Sequence, residues 1–224
     1  MSGLQSGNSV EKNSETLTFR EYRKTDRDRC VEITAQAWPE LKEGGLDAAT
    51  IDWYGRPATW KDIACVSDVP VGMLFAKIHR GNTIIRTKIR TKIIHATVYT
   101  KMLFGIYGKT PHRLSSIRGS MAGEREIERN APDVDGEISY LVIDSAYRGK
   151  GIGRGLMKRF VEHAREEGVH RISVYTTTPG SDWQFYGSQG FKLFSEFKDG
   201  FMSIIRHEDI KAMYYVLEIE GKKI

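Results

Sequence analysis

The run Arg148-Gly149-Lys150-Gly151-Ile152-Gly153 has the composition of an anion cradle. Alternating glycines let a backbone come close to a bulky phosphate, and Arg148, Lys150 and Arg154 bring positive charge to it. An apolar run over 138–143 precedes the turn and is broken by Asp144, Ser145 and Ala146; an amphipathic helical pattern starts directly after it. Strand, glycine-rich turn and helix together expose first-turn amides, which have no partner inside the helix, and add the positive end of the helix dipole. The turn lacks the Gly-Lys-Ser/Thr ending of a nucleotide P-loop. It also fails the dinucleotide fingerprint, because the sixth position is Arg154 counted from Gly149 and Leu156 counted from Gly151.

Two further residues could handle protons. Tyr186, in the run from Asp182 to Phe191, carries a hydroxyl whose ordinary pKa of about 10 lies above the roughly 8.5 of a thiol, so it can protonate a leaving thiolate. Glu137 opens the strand that leads into the cradle and carries a carboxylate that could accept a proton. The six histidines are scattered without a partner pattern, and no Cys-His or Ser-His-Asp order suggests a covalent intermediate, so direct transfer in a ternary complex is expected. Cys30 and Cys65 show no metal-ligand spacing, and no metal is expected.

The pattern R-x-x-G-x-G over Arg148 to Gly153, with Tyr147 beside it, a strand before it and the Phe185-Tyr186 … Gly190-Phe191 block about 30 residues on, resembles the GCN5-related N-acetyltransferase (GNAT) superfamily. The resemblance implies acetyl-CoA as acyl donor and a primary amine, on a small molecule or a protein, as acceptor. It implies coenzyme A binding by Arg148, Gly149, Lys150, Gly151, Ile152, Gly153 and Arg154, and by free strand amides at Leu141, Val142 and Ile143, one of which polarises the thioester. It makes Tyr186 the general acid and offers Glu137 as base; the alternative base position, twelve residues before the tyrosine, is Val174 and cannot serve. It also implies an α/β (α+β) fold: a mixed, mostly antiparallel central sheet with a splayed parallel strand pair and helices on both faces. Homodimers are common among relatives. Two positions depart from the family: Pro179 stands where an asparagine is frequent and Asp182 where a small residue is usual. They leave open a non-catalytic acyl-CoA-binding regulatory module of the same fold.

The elements that position these residues follow from periodicity. Residues 1–16 are polar and are expected as a disordered leader, with one domain over 17–224. A strand is expected at 17–22, a helix at 28–38 stopped by Pro39, and a hairpin of 63–66 with 71–78 around Ser67-Asp68-Val69-Pro70. Between them, 41–61 is a loop or short helix whose aromatics either line the acceptor side or cap the core. A helical insertion fills about 80–135. Its first helix, 83–106, carries Ile85, Ile89, Ile93, Ile94, Val98, Met102, Leu103 and Ile106 as one stripe, with Arg86, Lys88, Arg90, Lys92 and Lys101 largely off it. That helix either packs on the domain with a solvated cationic face or lies on a membrane surface or partner. A second helix, to residue 128, is expected as a surface element or lid. After the cradle, Ile152, Leu156, Phe160, Val161 and Ala164 give a helical face that ends at Gly168; strand 171–177 must then run parallel to 138–143 through a right-handed crossover. Strands at 191–197 and 213–219 complete the sheet. Lys and Arg number 34 against 29 Asp and Glu, an excess that suits a polyanion such as coenzyme A and is too small to argue for nucleic acid. No signal pattern and no membrane-length apolar run is present, which makes the cytoplasm the expected location.

Overall fold

The computed structural model describes residues 16–42, 46–79, 83–108, 113–179, 181–206 and 208–219; all but the last residue of the expected leader lies outside them. Strands β1 (Leu17–Glu21), β2 (Trp60–Val66), β3 (Val69–Ile78) and β4 (Gly136–Ile143) pair antiparallel in sequence order. β5 (Arg171–Thr178) joins β4 in parallel, and β6 (Lys192–Lys198) and β7 (Lys211–Glu218) close the sheet in the order β1-β2-β3-β4-β5-β7-β6. The helices in chain order are α1 (Arg27–Ala37), α2 (Pro39–Lys42), α3 (Leu46–Gly55), α4 (Thr83–Leu103), α5 (Arg113–Asn130), α6 (Ile152–Glu166), α7 (Trp183–Ser188) and α8 (Gly200–Arg206). This is the expected α/β architecture: a mixed, mostly antiparallel sheet with one parallel pair and helices on both faces.

The sheet is apolar on both faces, so each needs a helical cover. On one face Ile152, Leu156, Phe160 and Ala164 of α6 pack on Leu74, Ile138, Ile172 and Val174. On the other, Cys30 and Ile33 of α1 and Ile51 of α3 cover Ile63, Met73, Phe75 and Tyr140. Full burial of one such side chain contributes about 1.5–3 kcal/mol, so these two layers dominate the stability. The α6 backbone sits close on β1: a Cβ at Gly155 would lie 2.4 Å from the Phe19 ring.

The aromatic stretch before β2 is a ten-residue helix, α3, and its rings point two ways. Tyr54 stacks on Tyr140 of the sheet at 5.1 Å, and Trp53 stacks on His95 of α4 at 3.5 Å. Asp52 ties the inserted helices to α3: its carboxylate accepts from Arg27 Nε at 3.1 Å, Lys101 Nζ at 3.3 Å and the Tyr107 hydroxyl at 2.7 Å. Burial opposes ionisation at Asp52, but the Tyr107 hydrogen bond and the two cations outweigh it and hold the carboxyl below its ordinary 3.8. A folded-state pKa below the unfolded one stabilises above the unfolded value and is lost as pH falls through the folded value. Acidification below about pH 4 is therefore expected to release the inserted helices first; limited proteolysis with an acid protease should cut near 104–108 before the sheet melts, and Asp52→Asn should be cut there at about pH 7 by a neutral protease that spares the wild type.

The expected stripe on α4 does not point one way. Val98 is fully buried and Ile94 and Met102 are half-buried, while Ile89, Ile93 and Leu103 are exposed, as is Ile106 in the following turn; Ile85 lies where side chains are outside the description. Lys101, expected largely off the stripe, points inward to Asp52. The helix stops at Leu103, before Gly105 and Gly108, both with positive φ. α5 is longer than expected and is docked at its far end, where Tyr214 donates to Ile127 O at 3.4 Å and Ser195 to Asn130 O at 3.2 Å.

Candidate active site

β4 and β5 pair only over Gly136↔Ile172, Glu137↔Ser173 and Ile138↔Val174. The cause is visible on the other side of β4. The register against β3 shifts between Phe75↔Tyr140 and Ala76↔Ile138, which leaves Ser139 as an extra residue. A bulge bends its strand and breaks the alternation. Beyond it β4 keeps its β3 partner, β5 keeps β7, and a wedge opens between the two parallel strands.

Which amides face that wedge follows from one bond. Asp144 N donates to Val71 O at 2.9 Å. Antiparallel pairing alternates, so the Val142 amide also belongs to β3, and those of Leu141 and Ile143 point into the wedge. Of the three strand amides expected at the cofactor, two are thus free and Val142 is engaged in the ladder.

The cradle closes the wide end of the wedge. Gly149 and Gly151 have φ of +75° and +78°, a left-handed conformation that costs an L-residue about 1–2 kcal/mol and a glycine nothing. Gly151 caps α6, and its carbonyl takes the Gly155 amide at 3.0 Å. Among the described residues, none of the amides of Gly149, Lys150, Gly151, Ile152, Gly153 and Arg154 has a backbone acceptor. Six donors left free at a helix N-terminus fit a diphosphate. The flanking cations are partly occupied: Arg148 Nε donates back to Ile143 O at 3.2 Å, and Lys150 Nζ lies 4.6 Å above the Tyr147 ring.

A bond not legible in the sequence pins this turn. Asp144, buried, accepts from Ala146 N at 2.9 Å and forms an ion pair with Arg29 of α1, whose Nε also donates to Pro70 O at 3.2 Å. Arg29→Met would leave the Asp144 carboxylate buried beside a hydrocarbon chain. We expect a loss of about 2 kcal/mol in chemical denaturation, below the full cost of breaking a buried pair because Arg29 is a quarter exposed. Coenzyme A affinity should fall with it if the turn loosens.

α7 faces the cradle across the wedge. A Cβ built at Gly153 would lie 3.5 Å from Phe185 Cζ and 3.8 Å from Ile143 Cγ1, so α6, α7 and the end of β4 meet at that residue. The next residue, Tyr186, is buried among Phe185, Phe191 and Tyr215 with ring centroids 5.4, 6.1 and 6.3 Å away. Its hydroxyl has no hydrogen-bond partner among the described residues. Burial, with a smaller contribution from Asp182, pushes its pKa well up, so the phenol stays protonated. At the family's asparagine position the Pro179 carbonyl accepts from Arg206 at 3.0 Å.

Glu137 lies at the narrow end of the wedge, on the sheet face shared with Phe75 and Tyr140. Lys77 Nζ is 3.3 Å from its carboxylate, the Ser139 hydroxyl donates to it at 2.8 Å, and His79 Nε2 is 3.9 Å away. Burial opposes ionisation, but Lys77, Ser139 and His79 together outweigh it and hold the carboxyl below its ordinary 4.5. Glu137 and Tyr186 thus belong to opposite faces of the sheet. The structure also pairs two histidines that looked unpartnered: His79 with Glu137, and His95 with Glu124 at 2.7 Å. No cluster of three metal-ligating side chains occurs among the described residues.

Residues 116–191, spanning the bulged strand, the cradle and the Tyr186 block, match the model of the acetyltransferase (GNAT) family. Over that segment the chain is similar to GNAT acetyltransferases. Solved GNAT structures share the fold across almost the whole length. A GNAT-family protein from Desulfovibrio desulfuricans superposes with a TM-score of 0.55 at 14% identity, covering 92% of this chain and 100% of that one. The ribosomal-protein-S18-alanine N-acetyltransferase of Escherichia coli does so at 0.52 and 11%, covering 93% and 99%. In sequence, 73 residues are 34% identical to glucosamine 6-phosphate N-acetyltransferase 1 of Oryza sativa subsp. japonica, 33% of this chain and 42% of that enzyme. The chain thus matches less than half the length of that relative. The family match begins within α5 and ends just before β6.

Proposed function

We propose that this chain, one acetyltransferase domain over 17–224 with the insertion at about 80–135, transfers an acetyl group from acetyl-CoA to a primary amine in a ternary complex. The observation that carries this reading is the row of six amides from Gly149 to Arg154 left without a backbone acceptor where the parallel pair splays. Acetyl-CoA supplies an activated acyl group on a thiol leaving group. The residues of this chain do the rest. The cradle amides bind the diphosphate. The Leu141 and Ile143 amides line the wedge and hold the pantetheine arm, and one of them donates to the thioester oxygen, a contribution of a few kcal/mol per donor. Tyr186, kept neutral by burial, gives its proton to the departing sulfur. Glu137, ionised and backed by Lys77, takes the proton that the amine loses, through water.

Glu137→Gln should lower kcat/KM about a hundredfold, the lower end of the range for a general base, because Lys77 depresses its basicity. The same depressed pKa puts the acid limb of the wild-type pH–rate profile below pH 4.5, with activity rising with pH as the acceptor ammonium deprotonates. A profile and rate unchanged by the substitution would remove Glu137 from the mechanism.

A second reading is a binding-only module of the same fold. One observation favours it: Arg206 holds the Pro179 carbonyl where family members often carry an asparagine. Thiol release from acetyl-CoA, followed over a panel of amines that includes lysine peptides, N-terminal peptides, polyamines and an amino-sugar phosphate like the substrate named for the rice enzyme, separates the two. Release with any amine supports transfer. Tight coenzyme A binding with no release on any of them supports the module.

A further inference from the structure

Charge in this chain is segregated. Residues 69–123 hold ten Lys and Arg and no Asp or Glu; the other residues hold 24 Lys and Arg against 29 Asp and Glu. The whole insertion, 80–135, holds eleven Lys and Arg against five Asp and Glu, and the rest of the chain 23 against 24, so the positive excess of the chain sits in the insertion.

Within it, α4 has two faces. Fully buried Val98 and nearly buried His95 define the inner one, against α3. On the outer one Ile89, Ile93 and Leu103 are 55%, 62% and 47% exposed, and the turn beyond adds Phe104 at 74% and Ile106 at 67%. Lys88, Arg90 and Lys92 are exposed between and beside the two isoleucines. Arg56, Lys61 and Arg90 with Ile89, Ile93 and Ile94 line a depression of about 620 Å³ next to this face. Burial and the charge of Arg90 lower the pKa of Lys61 there, as expected where cations crowd. No helix among the described residues is long and apolar enough to cross a membrane.

We propose that the outer face of α4 and the turn 104–107 lies on an anionic lipid surface, with the aliphatic side chains at the acyl boundary and the flanking cations among the headgroups. An aliphatic stripe edged by Lys and Arg is the pattern of a helix in the interfacial plane. Nucleic acid would engage the cations but leave exposed isoleucine and leucine without apolar cover, since single strands are held by aromatic stacking and duplexes by phosphate and base-edge contacts. A second copy would set Lys88, Arg90 and Lys92 against their own kind. The proposal does not depend on acyl transfer, because none of these residues belongs to the cradle or the wedge.

Sedimentation of the full chain with phosphatidylcholine vesicles and with phosphatidylcholine/phosphatidylserine vesicles, at low and high salt, tests it. Binding is expected only with phosphatidylserine and should weaken with salt. The triple variant Lys88→Gln/Arg90→Gln/Lys92→Gln should bind on the order of a hundredfold more weakly. Ile89→Ser/Ile93→Ser/Phe104→Ser should also lose binding, while both keep the wild-type melting temperature and coenzyme A affinity. Absence of binding at low salt, equal binding to both vesicles, or retention by the serine variant would overturn the proposal. So would a duplex or single-stranded RNA shift stronger than vesicle binding, or a dimer in size exclusion that the serine variant abolishes.

Discussion

Gly153→Asp should weaken coenzyme A binding by a hundredfold or more and leave the fold at least as stable. The substitution adds one carboxylate in the first turn of α6, amid the free amides. Its Cβ would meet Phe185 at 3.5 Å and Ile143 at 3.8 Å, ordinary contact distances, and Gly153 does not have a positive φ, so the backbone is not strained. A negative charge near a helix N-terminus stabilises by about 0.3–1 kcal/mol, and replacing a helical glycine removes a penalty of about 0.5–1 kcal/mol less the lower propensity of aspartate. Against a diphosphate the same charge is repelled: two unit charges about 4 Å apart cost on the order of 4 kcal/mol at the effective dielectric of a protein surface. Calorimetry should show affinity reduced by a hundredfold to a thousandfold, with a melting temperature unchanged or raised. A stable variant that binds as wild type does would place the cofactor elsewhere.

Tyr186→Phe should reduce kcat about a hundredfold with little change in KM for acetyl-CoA, within the range for loss of a general acid. The hydroxyl makes no hydrogen bond to the described protein, and phenylalanine keeps the ring packing on Phe185, Phe191 and Tyr215, so stability should change by less than about 1 kcal/mol. The wild-type rate should show no alkaline decline below about pH 10, because burial raises the phenol pKa above its ordinary 10.0. A kcat unaffected by the substitution would make Tyr186 a packing residue.

What the sequence made legible was whatever local pattern controls. The apolar run at 138–143, the glycines after it and the 152–156–160–164 spacing each specify structure within a few residues, and β4, the cradle and α6 stand where those signals put them. The parallel pairing of β4 with β5 followed from crossover handedness. The Ser139 bulge was not legible, because it exists only in register against Phe75 and Ala76 of a strand about 60 residues away. Nor was the Arg29–Asp144 pair, whose members are 115 residues apart; Asp144 read only as the residue that breaks an apolar run. The stripe on α4 failed for a different reason. Periodicity reports that apolar residues recur, not which neighbour they meet, and contact with α3 turned Val98 in while leaving Ile89 and Ile93 out.

The diphosphate grip is tested most directly by truncating the ligand rather than the protein. Calorimetric titration of the unmodified chain with coenzyme A and with pantetheine compares two molecules that share the thiol arm and differ in the diphosphate and nucleotide. Several charge-assisted bonds to free amides, each contributing about 1.5–3 kcal/mol, predict that coenzyme A binds at least a hundredfold more tightly, with pantetheine unaffected by Gly153→Asp. Equal affinities for the two ligands would contradict it.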